Sequence, residues 1–202
     1  MRWTILVLLS MWSACAIAQS QQRVSRAVEL EHDLTTYSLT QAQLEAFSKR
    51  GEQKLRDFFG LLGYQANQQY ATMNTVSATE RRSISLFRDT AVTLDPLFDV
   101  GEPLPIADYL NEVENAYESV AIHLDSLVWI TPFAAAMDGI HQGYVQYQLR
   151  AHGFQDGKLV ATRTGQQTAV LWLRQVSKDF GRRGSDLVWE VSLGDIRWVE
   201  EE

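Results

Sequence analysis

Cysteine is almost missing: Cys15 is the only one in 202 residues. It falls inside an N-terminal stretch that reads as removable. The mature chain then has no thiol, and so no disulfide, no thiolate metal ligand and no cysteine nucleophile. Cations are also scarce, with 18 Lys and Arg against 25 Asp and Glu and a net charge of -7. Arg81-Arg82 and Arg182-Arg183 are isolated pairs, read as solvated ends of elements, and no basic stripe exists. Nucleic acid and anionic lipid are therefore not expected partners. After the first few residues no apolar run is long enough for a transmembrane segment. Gly60-x-x-Gly63 lacks the lysine and the preceding strand of a phosphate-binding loop. No serine sits on a nucleophile elbow, and no two histidines stand at metal-ligand spacing with a carboxylate. His123-x-Asp125 shares one strand face and reads as a polar edge pair rather than a metal ligand set or a base. No metal or cofactor is expected.

What is present begins with an address. Arg2 precedes the apolar run Trp3-Thr4-Ile5-Leu6-Val7-Leu8-Leu9, and Ala16-Ile17-Ala18 has the small-x-small form of a cleavage site. Residues 1–18 are therefore read as a signal peptide and the protein as exported, to the periplasm or cell envelope. A lipid anchor at Cys15 is not favoured. Bacterial lipoprotein signals normally carry an aliphatic residue three positions before the cysteine, and Trp12 stands there. Residues 19–38 are polar and Gln-rich and read as a flexible lead. One domain is expected over 39–202.

That domain opens with helices. Thr40 is a plausible N-cap with Gln43 three residues on, a modest capping box. Leu44, Phe47, Gly51, Leu55, Phe58 and Leu62 recur at threes and fours, one stripe of an amphipathic helix. Gly51 in that stripe predicts close approach of a bulky group or a strand, and the helix is expected to kink or to continue through Tyr64 to Tyr70. Ser77-Ala78-Thr79-Glu80 predicts the start of a second helix ending near Phe87. Ala91–Leu94 reads as a short strand. Pro105 suits the first turn of a third helix carrying Ile106, Tyr109, Leu110, Val113 and Tyr117.

Strands follow. Val120–Leu124 and Leu127–Thr131 alternate apolar with polar residues around a bulge or change of face at Asp125-Ser126. His141–Ala151 and Leu159–Lys178 alternate likewise, joined by a turn at Asp156-Gly157, a pair that tolerates positive φ. Val170, Trp172 and Arg174 fall on one face of the second; Leu171, Leu173 and Gln175 fall on the other. Leu187–Leu193 forms the last strand, broken at Gly194-Asp195. Short polar turns imply antiparallel pairing. Trp172, Trp189 and Trp198 are expected to supply apolar area for the covering helix or for a cavity. Helices, a short strand, a helix and then a run of strands make an α+β fold.

The element order, the Ser85-Leu86-Phe87 helix end and Pro105-Ile106-Ala107-Asp108-Tyr109-Leu110 together resemble exported bacterial proteins of the NTF2-like superfamily. The resemblance covers Thr40 to Val199. It implies a cone of long N-terminal helices packed on a curved antiparallel sheet, often with a pocket at its mouth. Members of that superfamily include isomerases, dehydratases, transport factors and interaction modules, so the fold does not choose between them. The steroid isomerase branch uses a carboxylate base with a tyrosine and a protonated carboxyl. Tyr109, Tyr117, Asp95, Asp125 and Glu190 are the groups available here, and none aligns to that motif. Glu190 alternates with Trp189 and is expected to face solvent. If a pocket exists, Tyr109, Tyr147, Trp172 and Trp189 are the expected lining. The favoured reading is a non-catalytic binding or assembly module of the envelope, pairing with itself or with another envelope protein. The alternative is a small-molecule-binding protein or isomerase-like enzyme using the cone.

Overall fold

The computed structural model describes residues 39–67, 73–89, 91–99, 101–137, 139–179, 181 and 184–199. Residues 1–18, read from the sequence as a signal peptide, residues 19–38, read as a lead, residues 68–70 of the expected helix continuation and the Arg182-Arg183 pair lie outside them. Leu44–Glu202 form one compact unit.

Helix α1 (Gln41–Gln65) starts at the expected capping box. The Gln43 amide N–H donates to Thr40 Oγ1 at 3.3 Å, and the Thr40 N–H donates to Gln43 Oε1 at 2.9 Å. Two otherwise orphaned donors are satisfied reciprocally. The apolar spacing does what it predicts: Gly51, Leu55, Phe58, Phe59 and Leu62 are buried along one face. A Cβ at Gly51 would lie 3.0 Å from Leu171 Cδ1 and 3.6 Å from Val191 Cγ1. The missing side chain is what brings the helix backbone down onto the sheet.

Helix α2 (Met73–Ile84) begins one turn before Ser77. Met73-Asn74-Thr75-Val76 contains neither glycine nor proline, so nothing in it stops the helix short. Strands β1 (Thr93–Leu94) and β2 (Leu104–Pro105) pair antiparallel. Pro105 then caps α3 (Ile106–Ala116), which buries Ile106, Tyr109, Leu110 and Val113. Tyr117 does not extend this stripe: the chain turns extended at that residue. Its ring packs on Phe98, with centroids 4.6 Å apart.

Four long strands follow: β3 (Ser119–Met137), β4 (Ile140–Gln155), β5 (Lys158–Asp179) and β6 (Ser185–Trp198). The sheet order is β2-β1-β6-β5-β4-β3. The long strands are antiparallel, as their short turns require, but β1 joins β6 in parallel at Leu94 and Ile196, so the sheet is mixed. Asp156 (φ 50°) and Gly157 (φ 67°) make the expected tight turn between β4 and β5. Ser126 has φ 50°, and the β3–β4 register shifts between Asp125 and Val128, a bulge at the expected place.

Gly194-Asp195 does not break β6. The register passes from Ala169 opposite Ile196 to Leu171 opposite Leu193, so both residues face Val170 alone. This too is a bulge, and the strand runs through it.

Alternation gives the sheet two unlike faces. Val145, Tyr147, Leu149, Ala169, Leu171, Leu173, Val191 and Leu193 turn one way and are all buried. Against them lie Phe58 and Phe59 of α1, Tyr109 of α3, and Phe87. The ring centroids are 4.9 Å apart for Phe58–Phe87, 5.7 Å for Phe59–Tyr147 and 6.3 Å for Phe58–Tyr109. Each such buried side chain contributes about 1.5–3 kcal/mol of apolar transfer. Gln142, Tyr144, Gln146 and Gln148 of β4 turn the other way, with Val170, Trp172 and Arg174 of β5. This α+β arrangement of helices against a sheet is the one implied by the NTF2-like resemblance.

Candidate functional site

On the helix-covered side of the sheet the described side chains pack closely. Tyr109 and Tyr147 are 2% and 1% exposed. The Tyr147 hydroxyl donates to the buried Gln167 Oε1 at 2.9 Å. Burial pushes both phenols above their ordinary range, helped by Glu112 at Tyr109 and by Tyr109 at Tyr147, because an apolar surrounding opposes the phenolate. Nearer β3, the Trp129 indole donates to Glu52 of α1 at 2.8 Å. A Cβ at Gly143 would fall 2.7 Å from the Trp129 ring, so this end is closed by contact as well.

Trp172 is not under the helix. It shares the outward face with Val170 and Arg174, because strand parity puts Leu171 and Leu173 inside. Trp189 does turn to the helix side, where it is half-buried and meets His141 edge-on at 5.4 Å. Trp198 lies under the Arg163 guanidinium at 4.0 Å, its indole donating to the Pro96 carbonyl. Tyr109, Tyr147, Trp172 and Trp189 thus occupy three places: two in the core, one on the outer face and one at the helix-side margin.

A cleft lies on the outer face, between the sheet and the connection from α2 to β1. It has a volume of about 350 Å³ and is lined by Arg88, Asp89, Ala91 and Val92 of that connection, Gln142 and Tyr144 of β4, Val170 and Trp172 of β5, and Gly194 and Asp195 of β6. The bulge in β6 shapes it. A Cβ at Gly194 would lie 2.6 Å from Trp172 Nε1, so only glycine lets the indole rest against the strand backbone. Arg88 stacks on that indole at 4.4 Å. Its backbone is pinned on two sides: the Arg88 N–H donates to Leu193 O at 2.7 Å, and Arg174 Nη2 donates to Arg88 O at 3.2 Å.

Two carboxylates border the cleft. Asp89 Oδ1 accepts from the Ala91 N–H and its Oδ2 lies 3.7 Å from Arg88 Nε. Asp195 Oδ1 accepts from the Thr93 N–H and its Oδ2 lies 3.6 Å from Arg197.

The other chemical candidates are scattered. Asp95 holds the Trp198 N–H at 2.6 Å, Asp125 pairs with Arg150 at 3.2 Å, and Glu190 pairs with Lys178 at 3.2 Å. Each carboxylate therefore has a structural partner. Asp125 and His123 lie on the outer face, across from Gln148 and Arg150. His141 is held below the usual imidazole range by burial, and its Nδ1 is buried without a partner. Among the described residues no three potential metal ligands come together.

Of the four residues expected to line a cone pocket, Trp172 borders this cleft, on the other face of the sheet, and sequence reasoning did not single out its companions. Arg88 and Asp89 come from a connection more than fifty residues away from Gln142 and Tyr144, and the parallel bridge between Phe87 and Leu193, with the Arg174 bond to the Arg88 carbonyl, brings them onto the sheet.

No family model matches the chain, and no curated protein matches it. Among solved structures, it is similar to a provisionally named scytalone dehydratase from Novosphingobium aromaticivorans, at 10% identity over 79% of this chain and 89% of that one, with a TM-score of 0.43. It is also similar to the Kfla4162 protein of Kribbella flavida, at 12% identity over 75% and 90% of the two chains, with a TM-score of 0.33. Likeness at this level says nothing about chemistry.

Proposed function

We propose that this protein is an exported, non-catalytic binding or assembly module of the cell envelope, and that it recognises its partner through the outer sheet face. The observation that carries the reading is the contrast between the two faces. The side where a cone pocket would sit is packed with side chains, with Tyr109 and Tyr147 buried and the Tyr147 hydroxyl bonded internally to Gln167. The outer face presents a shaped cleft beside a broad polar surface of glutamine and threonine, which suits recognition more than bond-breaking. The signal-like residues 1–18 support export. A small-molecule site or isomerase centre inside the cone is disfavoured, since Tyr109 and Tyr147 are already buried among packed side chains.

The test is native mass spectrometry of the protein released gently from the envelope fraction of its own cells, with the N-terminus read from the same sample. The expected result is a chain beginning at Gln19, bound to a second copy or to another envelope protein, with the complex lost in a Tyr144→Ala variant. A cytoplasmic chain retaining Met1, or a tightly held small adduct unaffected by outer-face substitutions, would overturn the reading.

A further inference from the structure

We infer that the outer-face cleft binds a neutral saccharide ring through its hydroxyl groups. This deepens the binding-module reading and rests on it. An anion entering the cleft meets Asp89 and Asp195; a cation meets Arg88, with Arg174 and Arg197 directly behind. Both carboxylates are already partly satisfied by backbone N–H groups and arginines. Arg197 also pairs with Asp95 at 3.6 Å, so three guanidiniums stand against three carboxylates, and this balance favours an uncharged ligand.

The cleft is nevertheless rich in hydrogen-bonding capacity. The Gln142 amide and the Tyr144 hydroxyl have no partner within the described residues. Arg88 engages Asp89 only through Nε, leaving its terminal nitrogens to donate. Asp89, Asp195 and the Gln142 carbonyl accept. Tyr144 does both. A ligand able to use this mixture must donate and accept from neighbouring atoms, as adjacent sugar hydroxyls do. The planar groups of Arg88 and Gln142 can each meet a pair of such hydroxyls, and Asp89 and Asp195 accept through their remaining lone pairs. Val170 and Ala91 supply apolar surface for the C–H side of the ring, beside the Trp172 indole that Arg88 covers. The volume, about 350 Å³, is at the small end of ligand sites, roughly 300–1,000 Å³.

The geometry is also fixed in advance. Arg88 is held by its stack on Trp172 and by its own backbone bonds, and Trp172 by Gly194. Little ordering remains for the ligand to induce, which favours affinity.

The test is a titration of the full chain, followed by NMR of the tryptophan indole N–H groups. The Trp172 signal is assigned with Trp172→Phe. The probes are cellotetraose, chitotetraose and maltotetraose, with sodium benzoate as the anion. Pull-down on insoluble cellulose and chitin distinguishes a polymer from a free oligosaccharide as the source. The expected result is a saturable shift of Trp172 with at least one tetrasaccharide at millimolar concentration. Gln142→Ala and Tyr144→Phe, both on the outer face, should weaken it by about fivefold each, one neutral hydrogen bond's worth, with melting unchanged.

A shift with benzoate alone would overturn the inference in favour of an anion site. No shift with any saccharide, soluble or polymeric, would overturn it outright. If the native complex with a protein partner persisted in that case, the module reading would stand and only the saccharide inference would fall.

Discussion

The packed interior can be tested through one hydrogen bond, that between Tyr147 and Gln167. Both residues are 1% exposed, and the hydroxyl donates to the amide oxygen at 2.9 Å. Tyr147→Phe removes one oxygen and keeps the ring against Phe59. In a dry interior it leaves Gln167 Oε1 without its donor. The expected cost is about 1–3 kcal/mol, the desolvation penalty of an unsatisfied buried acceptor. Gln167→Leu should cost a similar amount, since the phenol then loses its acceptor. The double variant should cost far less than the sum, because neither orphan survives, giving a coupling of about 1–2 kcal/mol. Urea unfolding of the four proteins measures all three values. If water reached this region, as in an open cone pocket, it would replace either partner. Both single costs would then fall below about 0.5 kcal/mol and the coupling would vanish. That result would refute the filled interior, and with it the main support for a non-catalytic module.

Three other outcomes follow from the same packing. Gly194→Ala places a Cβ 2.6 Å from Trp172 Nε1; it should cost about 1–3 kcal/mol and move the Trp172 indole signal, and an unmoved signal would contradict the assigned origin of the cleft. Alkaline titration should show Tyr109 and Tyr147 silent while exposed tyrosines ionise. Their folded pKa values are raised and unfolded tyrosine ionises near 10, so their contribution to stability is intact below about pH 10. It is lost as pH rises beyond that, and denaturation that ignored pH in this range would argue against burial. Arg163 stacks on Trp198 and donates to the carbonyls of Pro96 and Asp99 at 3.1 and 2.8 Å. Arg163→Ala should cost about 1–3 kcal/mol and speed proteolysis at 95–99, and Arg163→Lys should not restore protection, because an ammonium lacks the flat fork.

Local patterns carried the fold a long way. The Thr40–Gln43 cap, the Gly51 stripe, Pro105, the bulge at Ser126 and the Asp156-Gly157 turn all act through residues within a few positions of one another, so their chemistry could be read in place. The two faces of β5 were legible too. What alternation does not carry is which face the helix covers; that is settled by cross-strand partners such as Leu193 opposite Leu171 and by Gly51 above them. Trp172 therefore looked like core from its size and lies outside by its parity. Gly194-Asp195 was misread for a related reason. Glycine followed by aspartate is a turn signal in isolation, but here the pair is absorbed as a bulge because β5 continues alongside and the β1 backbone hydrogen-bonds to Asp195.

The same bulge joins fold to site. Two residues of β6 opposite one of β5 twist the strand locally. Because one of them is glycine, the Trp172 indole can lie down on the outer surface, where Arg88 is already pinned to the neighbouring Leu193. Tyr109, Tyr147 and Phe58 pack the inner face, while a strand irregularity shapes the cleft on the opposite face. The outer cleft therefore depends on the register of β5 against β6, and any change that slides this register should abolish recognition before it unfolds the chain.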